Sequence, residues 1–115
     1  MGTQTSSTPP PNKLPARYVE FQKRFPEVFK ALDALGAAVQ EAGPLEGKTR
    51  ALVKLAVAIG VRSEGAVHSH TRRCIEAGCK PDEIRHVVLL ATTTLGFPSM
   101  MATMSWVEDV LKQSK

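Results

Sequence analysis

Residues 87–107 form an unbroken stretch without one charged side chain, and nothing else in the sequence restricts the fold as much. A run of this length either spans a bilayer or is buried by other protein. Gly96-Phe97-Pro98 cuts across it, and Thr92-Thr93-Thr94, Ser99, Thr103 and Ser105 dilute it. Two buried helices joined by a turn explain these interruptions better than one transmembrane helix does. The expectation is therefore a cytoplasmic protein with no membrane partner.

The rest of the chain also reads as helix. Tyr18, Phe21 and Phe25 recur at helical spacing, and Phe29, Leu32, Leu35 and Val39 continue the stripe. Pro26 predicts a break at Phe25 and a new helix with proline near its first position. Gly43-Pro44 ends that helix. Residues 48–61 are apolar on most faces and so predict a central helix. Gly60 and Ser63 bracket a short turn into a helix over residues 64–77, which Gly78 terminates. Pro81 opens another helix, with Asp82 and Glu83 in its first turn, and Pro98 opens the last. No period-two alternation signals a strand. The fold class is all-α, about six helices.

The chain has 115 residues, enough for one domain with one modest core. Residues 1–13, with three consecutive prolines and no apolar periodicity, read as a disordered tail without the features of a signal peptide. Residues 14–115 are expected to form a single helical domain. The net charge of +4 is scattered. Arg72-Arg73 and Arg85-His86 stand near Glu76 or Asp82-Glu83, the pattern of a solvated helix face. With no aromatic residues among the basic ones, no nucleic-acid partner is expected.

Two helices that are apolar nearly all round need cover on every side, more than six short helices supply. The surplus, including Met100, Met101, Met104 and Trp106, points to a homo-oligomer interface. The alternative is that the methionines fill a monomer core.

Chemistry concentrates in residues 63–74. Glu64 and His68 are four apart and share a helix face, so the carboxylate can orient or charge the imidazole. His68 and His70 project about 200° apart on an ideal helix and do not line one pocket from one chain. That makes Glu-x-x-x-His-x-His a poor metal site, and no metal is expected. His70 can exchange a proton near neutral pH without a cofactor. Cys74, four residues after His70, can share its face, where an imidazolium would favour thiolate. Incidental thiols remain the default for Cys74 and Cys79. Arg50, Arg72 and Arg73, and more weakly Lys48, are candidate binders of a carboxylate-bearing ligand.

The order of residues 48–78, then Pro81-Asp82-Glu83-Ile84 and Gly96-Phe97-Pro98, resembles the carboxymuconolactone decarboxylase / alkyl-hydroperoxidase D family. The redox branch of that family opens its motif helix with Cys-x-x-Cys-x-x-x-His, preceded by a glutamate twelve residues before the first cysteine. Here those cysteine positions hold Ser63 and Ala66, the glutamate position holds Ala51, and the histidine is His70. The resemblance implies the helical fold, a trimer or hexamer, and the decarboxylase-like branch. It thereby implies cofactor-free decarboxylation or proton transfer on a small acidic, lactone-type substrate. His70 would be the general acid/base, assisted by Glu64 or His68, with Arg50 and Arg72 on the substrate. The alternatives are a thiol peroxidase or disulfide reductase using Cys74 or Cys79, and a non-catalytic, ligand-binding helical oligomer.

Overall fold

A computed structural model describes residues 14–113, so the expected tail over residues 1–13 lies outside them. The described residues contain helices and turns and no strand. They form α1 (Ala16–Arg24), α2 (Pro26–Glu41), α3 (Gly47–Val61), α4 (Glu64–Glu76), α5 (Pro81–Leu90), α6 (Thr92–Leu95) and α7 (Phe97–Gln113). The described residues group into two compact units, one ending at Pro44 and the other beginning at Leu45.

The first unit holds α1 and α2. Pro26 occupies the start of α2, where its missing N–H costs no helical hydrogen bond. Tyr18 meets Phe29 edge to face at 6.0 Å, and Phe21 lies 5.8 Å from Phe25. The stripe Val28, Leu32, Leu35 and Val39 along α2 remains exposed.

The second unit is built around α4, whose largest packing surfaces are with α3 and α7; α5 packs on α3 and α7, and α6 on α5 and α7. Leu55 and Ile59 of α3, Val67 and Cys74 of α4, Ile84 and Val88 of α5, and Val107 of α7 are the centre of the core. Two hydroxyls are buried with them. Thr71 donates to the Val67 carbonyl at 2.7 Å and Thr103 to the Ser99 carbonyl at 3.0 Å, so neither is left unsatisfied.

Punctuation of the helices follows the sequence closely. Ser63 caps α4, its Oγ accepting the Ala66 amide at 3.3 Å. Gly78, at φ +93°, ends α4 in a Schellman turn, with Cys79 N–H on the Cys74 carbonyl and Gly78 N–H on that of Ile75. The side chains at the two ends of such a turn pack together, which places both cysteines in the core.

Two expectations change. The helix opened by Pro81 does not run to the Gly96 turn but breaks at Ala91, followed by the single turn α6. Thr92 Oγ1 there donates to the Leu89 carbonyl at 2.7 Å, competing with the backbone ladder. The exposed apolar residues are also not mainly the ones named from the sequence. Met100 is buried within the chain's own core, and Met104 and Trp106 pack partly buried against it. Of those four residues only Met101 is largely exposed. No helix among the described residues is long and apolar enough to cross a membrane.

Candidate functional site

Helix α4 presents its two histidines to different neighbours, as the 200° separation requires. His70 is half-buried, and the charges that act on it are those of Arg73, on its own helix, and Lys54, on α3. Burial first, then these two cations, hold the imidazole below its usual value of 6.5. An imidazole held below 6.5 is mostly neutral at neutral pH.

His68 faces α7 instead. Its Nε2 lies 3.2 Å from Asp109 Oδ2 and 3.8 Å from Glu64 Oε2. The expected i,i+4 pairing of Glu64 with His68 is present, but it is joined by a second carboxylate from forty-one residues away. Glu64, His68 and Asp109 each present a ligand-type atom within 4.8 Å of the other two. Glu64 and His68 therefore form a cluster with Asp109 on the α7 side of α4.

The arginines are placed differently from one another. Arg72 is half-buried, and burial followed by Arg73 lowers its pKa while Glu76 raises it. Arg50 sits in the first turn of α3, where its Nη1 donates to the Leu45 carbonyl at 3.3 Å. Arg73 and Lys54 are the cations beside His70. Lys54 escaped the sequence reading, although a lone lysine inside the otherwise uncharged segment 51–61 was the available signal. Asp109 gave no such signal, because only the packing of α7 on α4 brings it to His68.

Both cysteines are free and buried. Cys74 Sγ donates to the Ala51 carbonyl at 3.4 Å, and Cys79 Sγ lies 3.9 Å from that of Lys48. Burial, then the proximity of Cys79, pushes the Cys74 thiol up to about 12. Burial also raises Cys79. Ala51, at the position of the redox branch's glutamate, offers Cys74 only a backbone oxygen.

A groove of about 470 Å³ runs between α3, α5 and α6, lined by Leu52, Val53, Ala56, Ile59, Leu90 and Leu95 among others. It carries no titratable side chain, and His70 is not among the residues that line it.

Comparison with known proteins is consistent with this architecture. The model of the carboxymuconolactone decarboxylase family matches residues 26–109. An uncharacterized protein of Haemophilus influenzae is 43% identical over 51 residues, 44% of this chain and 45% of the relative. A 4-carboxymuconolactone decarboxylase of Acinetobacter baylyi is 33% identical over 64 residues, 56% of this chain and 48% of the relative. The chain thus spans about half the length of these curated relatives. A crystal structure of a carboxymuconolactone decarboxylase family protein from Legionella pneumophila superposes with a TM-score of 0.73 at 24% identity, covering 86% of this chain and 88% of the other. That likeness is one of fold.

Proposed function

The chain belongs to the carboxymuconolactone decarboxylase family, and from that premise we propose cofactor-free decarboxylation or proton transfer on a small acidic, lactone-type substrate, with His70 as general acid/base. The observation that carries this reading is the setting of His70, a half-buried imidazole acted on by the cations Arg73 and Lys54. Two cations beside a proton-transfer group suit a substrate that carries carboxylates.

The chemistry needs little else. When the bond to the departing carboxylate breaks, its electron pair passes through the double bond of the substrate into the lactone carbonyl. Carbon dioxide leaves, and the substrate is its own electron sink. The protein holds the anion, stabilises the developing oxyanion charge and returns one proton to carbon. A bound carboxylate opposes the charges of Arg73 and Lys54 and so raises the pKa of His70 on binding, when an acid is required. Arg50 and half-buried Arg72 are further candidates for the substrate's second carboxylate, although Arg72, two residues on from His70, projects about 200° from it on an ideal helix.

A thiol route fits less well. Ser63 serves as the α4 cap, and a thiol raised to about 12 is almost wholly protonated at neutral pH. The reading includes a homo-oligomer, trimer or hexamer. Support comes from the exposed row Val53, Val57 and Val61 on α3 and from exposed Leu89, Leu90, Phe97 and Met101. These residues rather than the methionines as a group are the apolar surface to be covered.

The test is turnover of γ-carboxymuconolactone and related lactone acids, followed by carbon dioxide release, in the wild type and in a Cys74→Ser, Cys79→Ser double variant. Turnover that survives in the folded double variant supports the decarboxylase reading. Turnover abolished there favours a thiol enzyme, and binding without turnover favours a non-catalytic ligand-binding oligomer.

A further inference from the structure

We propose that Glu64, His68 and Asp109 form a binding site for one divalent first-row transition ion, zinc or a close relative. This site lies on the α7 side of α4 and does not depend on the decarboxylase reading.

The geometry carries the proposal. For an ion with nitrogen and oxygen ligands at about 2.0–2.2 Å in tetrahedral array, adjacent ligand atoms stand roughly 3.2–3.6 Å apart. His68 Nε2 is 3.2 Å from Asp109 Oδ2 and 3.8 Å from Glu64 Oε2. The three atoms lie within 4.8 Å of one another, so small side-chain rotations close the set. Glu64 is exposed and has room to make that adjustment. His68 is the anchor, its side chain only 15% exposed and its Nε2 directed at both carboxylates.

Charge points the same way. Two carboxylates around one imidazole carry two negative charges, and even a protonated ring offsets one. A divalent ion on a neutral imidazole offsets both. The donor set, one imidazole nitrogen and two carboxylate oxygens, suits zinc, manganese, iron or cobalt more than soft copper(I) or an all-oxygen magnesium site. Three protein ligands leave a coordination position for water or an anionic ligand. Nothing in the sequence spacing reveals the set, because it closes only when α7 packs on α4.

The same three residues could instead clasp a bare imidazolium between two carboxylates. Isothermal titration of the full chain, stripped with chelator, with zinc chloride and separately with manganese chloride distinguishes the two. The proposal expects one zinc per chain. It expects Glu64→Gln, His68→Gln and Asp109→Asn each to weaken binding by more than about tenfold. His86→Gln, at an exposed histidine, should leave it unchanged. Long-range ¹H–¹⁵N NMR should show His68 Nε2 shifting to a metal-bound value as zinc is added. If His68→Gln folds poorly, Glu64→Gln carries the test, since that side chain is exposed. Absence of saturable uptake would overturn the proposal. So would uptake that survives both carboxylate substitutions, or a His68 ring that stays protonated in excess zinc. None of these readouts is an activity, so failure here leaves the His70 reading standing, and the reverse.

Discussion

His68 Nε2 and Asp109 Oδ2 are 3.2 Å apart, and this contact joins the first turns of α4 to the last turns of α7 across forty-one residues. Both side chains are partly screened from water, with Asp109 the more open at 41%. The pair therefore combines a tertiary fastening with a polar cluster.

Without added metal, a double-mutant cycle on His68→Ala and Asp109→Ala should return a coupling of about 0.5–1.5 kcal/mol at neutral pH. The solvent reaching Asp109 keeps it near the lower end. Chemical denaturation of the four proteins measures it. Strictly additive losses would mean that the contact contributes nothing to stability.

Leu55 is wholly buried at the centre of the core. Leu55→Ala should destabilise the fold by about 2–5 kcal/mol, with the loss set by how far α3, α4 and α5 collapse into the space. Val57→Ala, on the exposed side of the same helix, should cost well under about 1 kcal/mol in a dissociated chain. Urea titration compares the two.

The thiols should be inert in the native protein. With Cys74 raised to about 12 and Cys79 also raised, alkylation by iodoacetamide at pH 8 should be roughly a thousandfold slower for Cys74 than for a free thiol. Both should label quickly once the chain is unfolded. Peptide mass spectrometry after timed labelling reads the rates, and fast native labelling of Cys74 would contradict the burial described.

Much of this was legible in the sequence because it is local. Pro26, Gly43-Pro44, Ser63, Gly78 and Pro81 act through backbone geometry within a few residues, and the helices begin or end at or beside them. The Glu64–His68 pair is local as well, since four residues bring them to one face. Met100 was misassigned because periodicity tells which residues share a face of α7 but not which face meets α4 and α5. Asp109 and Lys54 were missed for a related reason. Each acts on its histidine from another helix, and which helix faces which is not written in either segment alone.

His70 should give stability a distinct pH dependence. Its folded pKa lies below the unfolded 6.5, so the unfolded chain takes up the proton first. Stability is then lost as pH falls below about 6.5 and is unaffected by this group above it. His70→Gln should flatten the curve of unfolding free energy against pH between 6.5 and the folded value, whatever its offset at pH 8. Denaturant titrations at several pH values check the slope, and an unchanged slope would place His70 in a solvated, unperturbed setting.

The central claim, proton delivery by His70 during decarboxylation, is tested most directly by running γ-carboxymuconolactone turnover in deuterium oxide with wild-type and His70→Gln proteins. The account predicts stoichiometric carbon dioxide release and, in the wild-type product, a single stereospecific deuterium on the carbon next to the lactone carbonyl, the double bond having shifted to the carbon that lost carbon dioxide. It predicts turnover lower by roughly a hundredfold or more in folded His70→Gln. Undiminished turnover and the same stereospecific label with His70→Gln would contradict it.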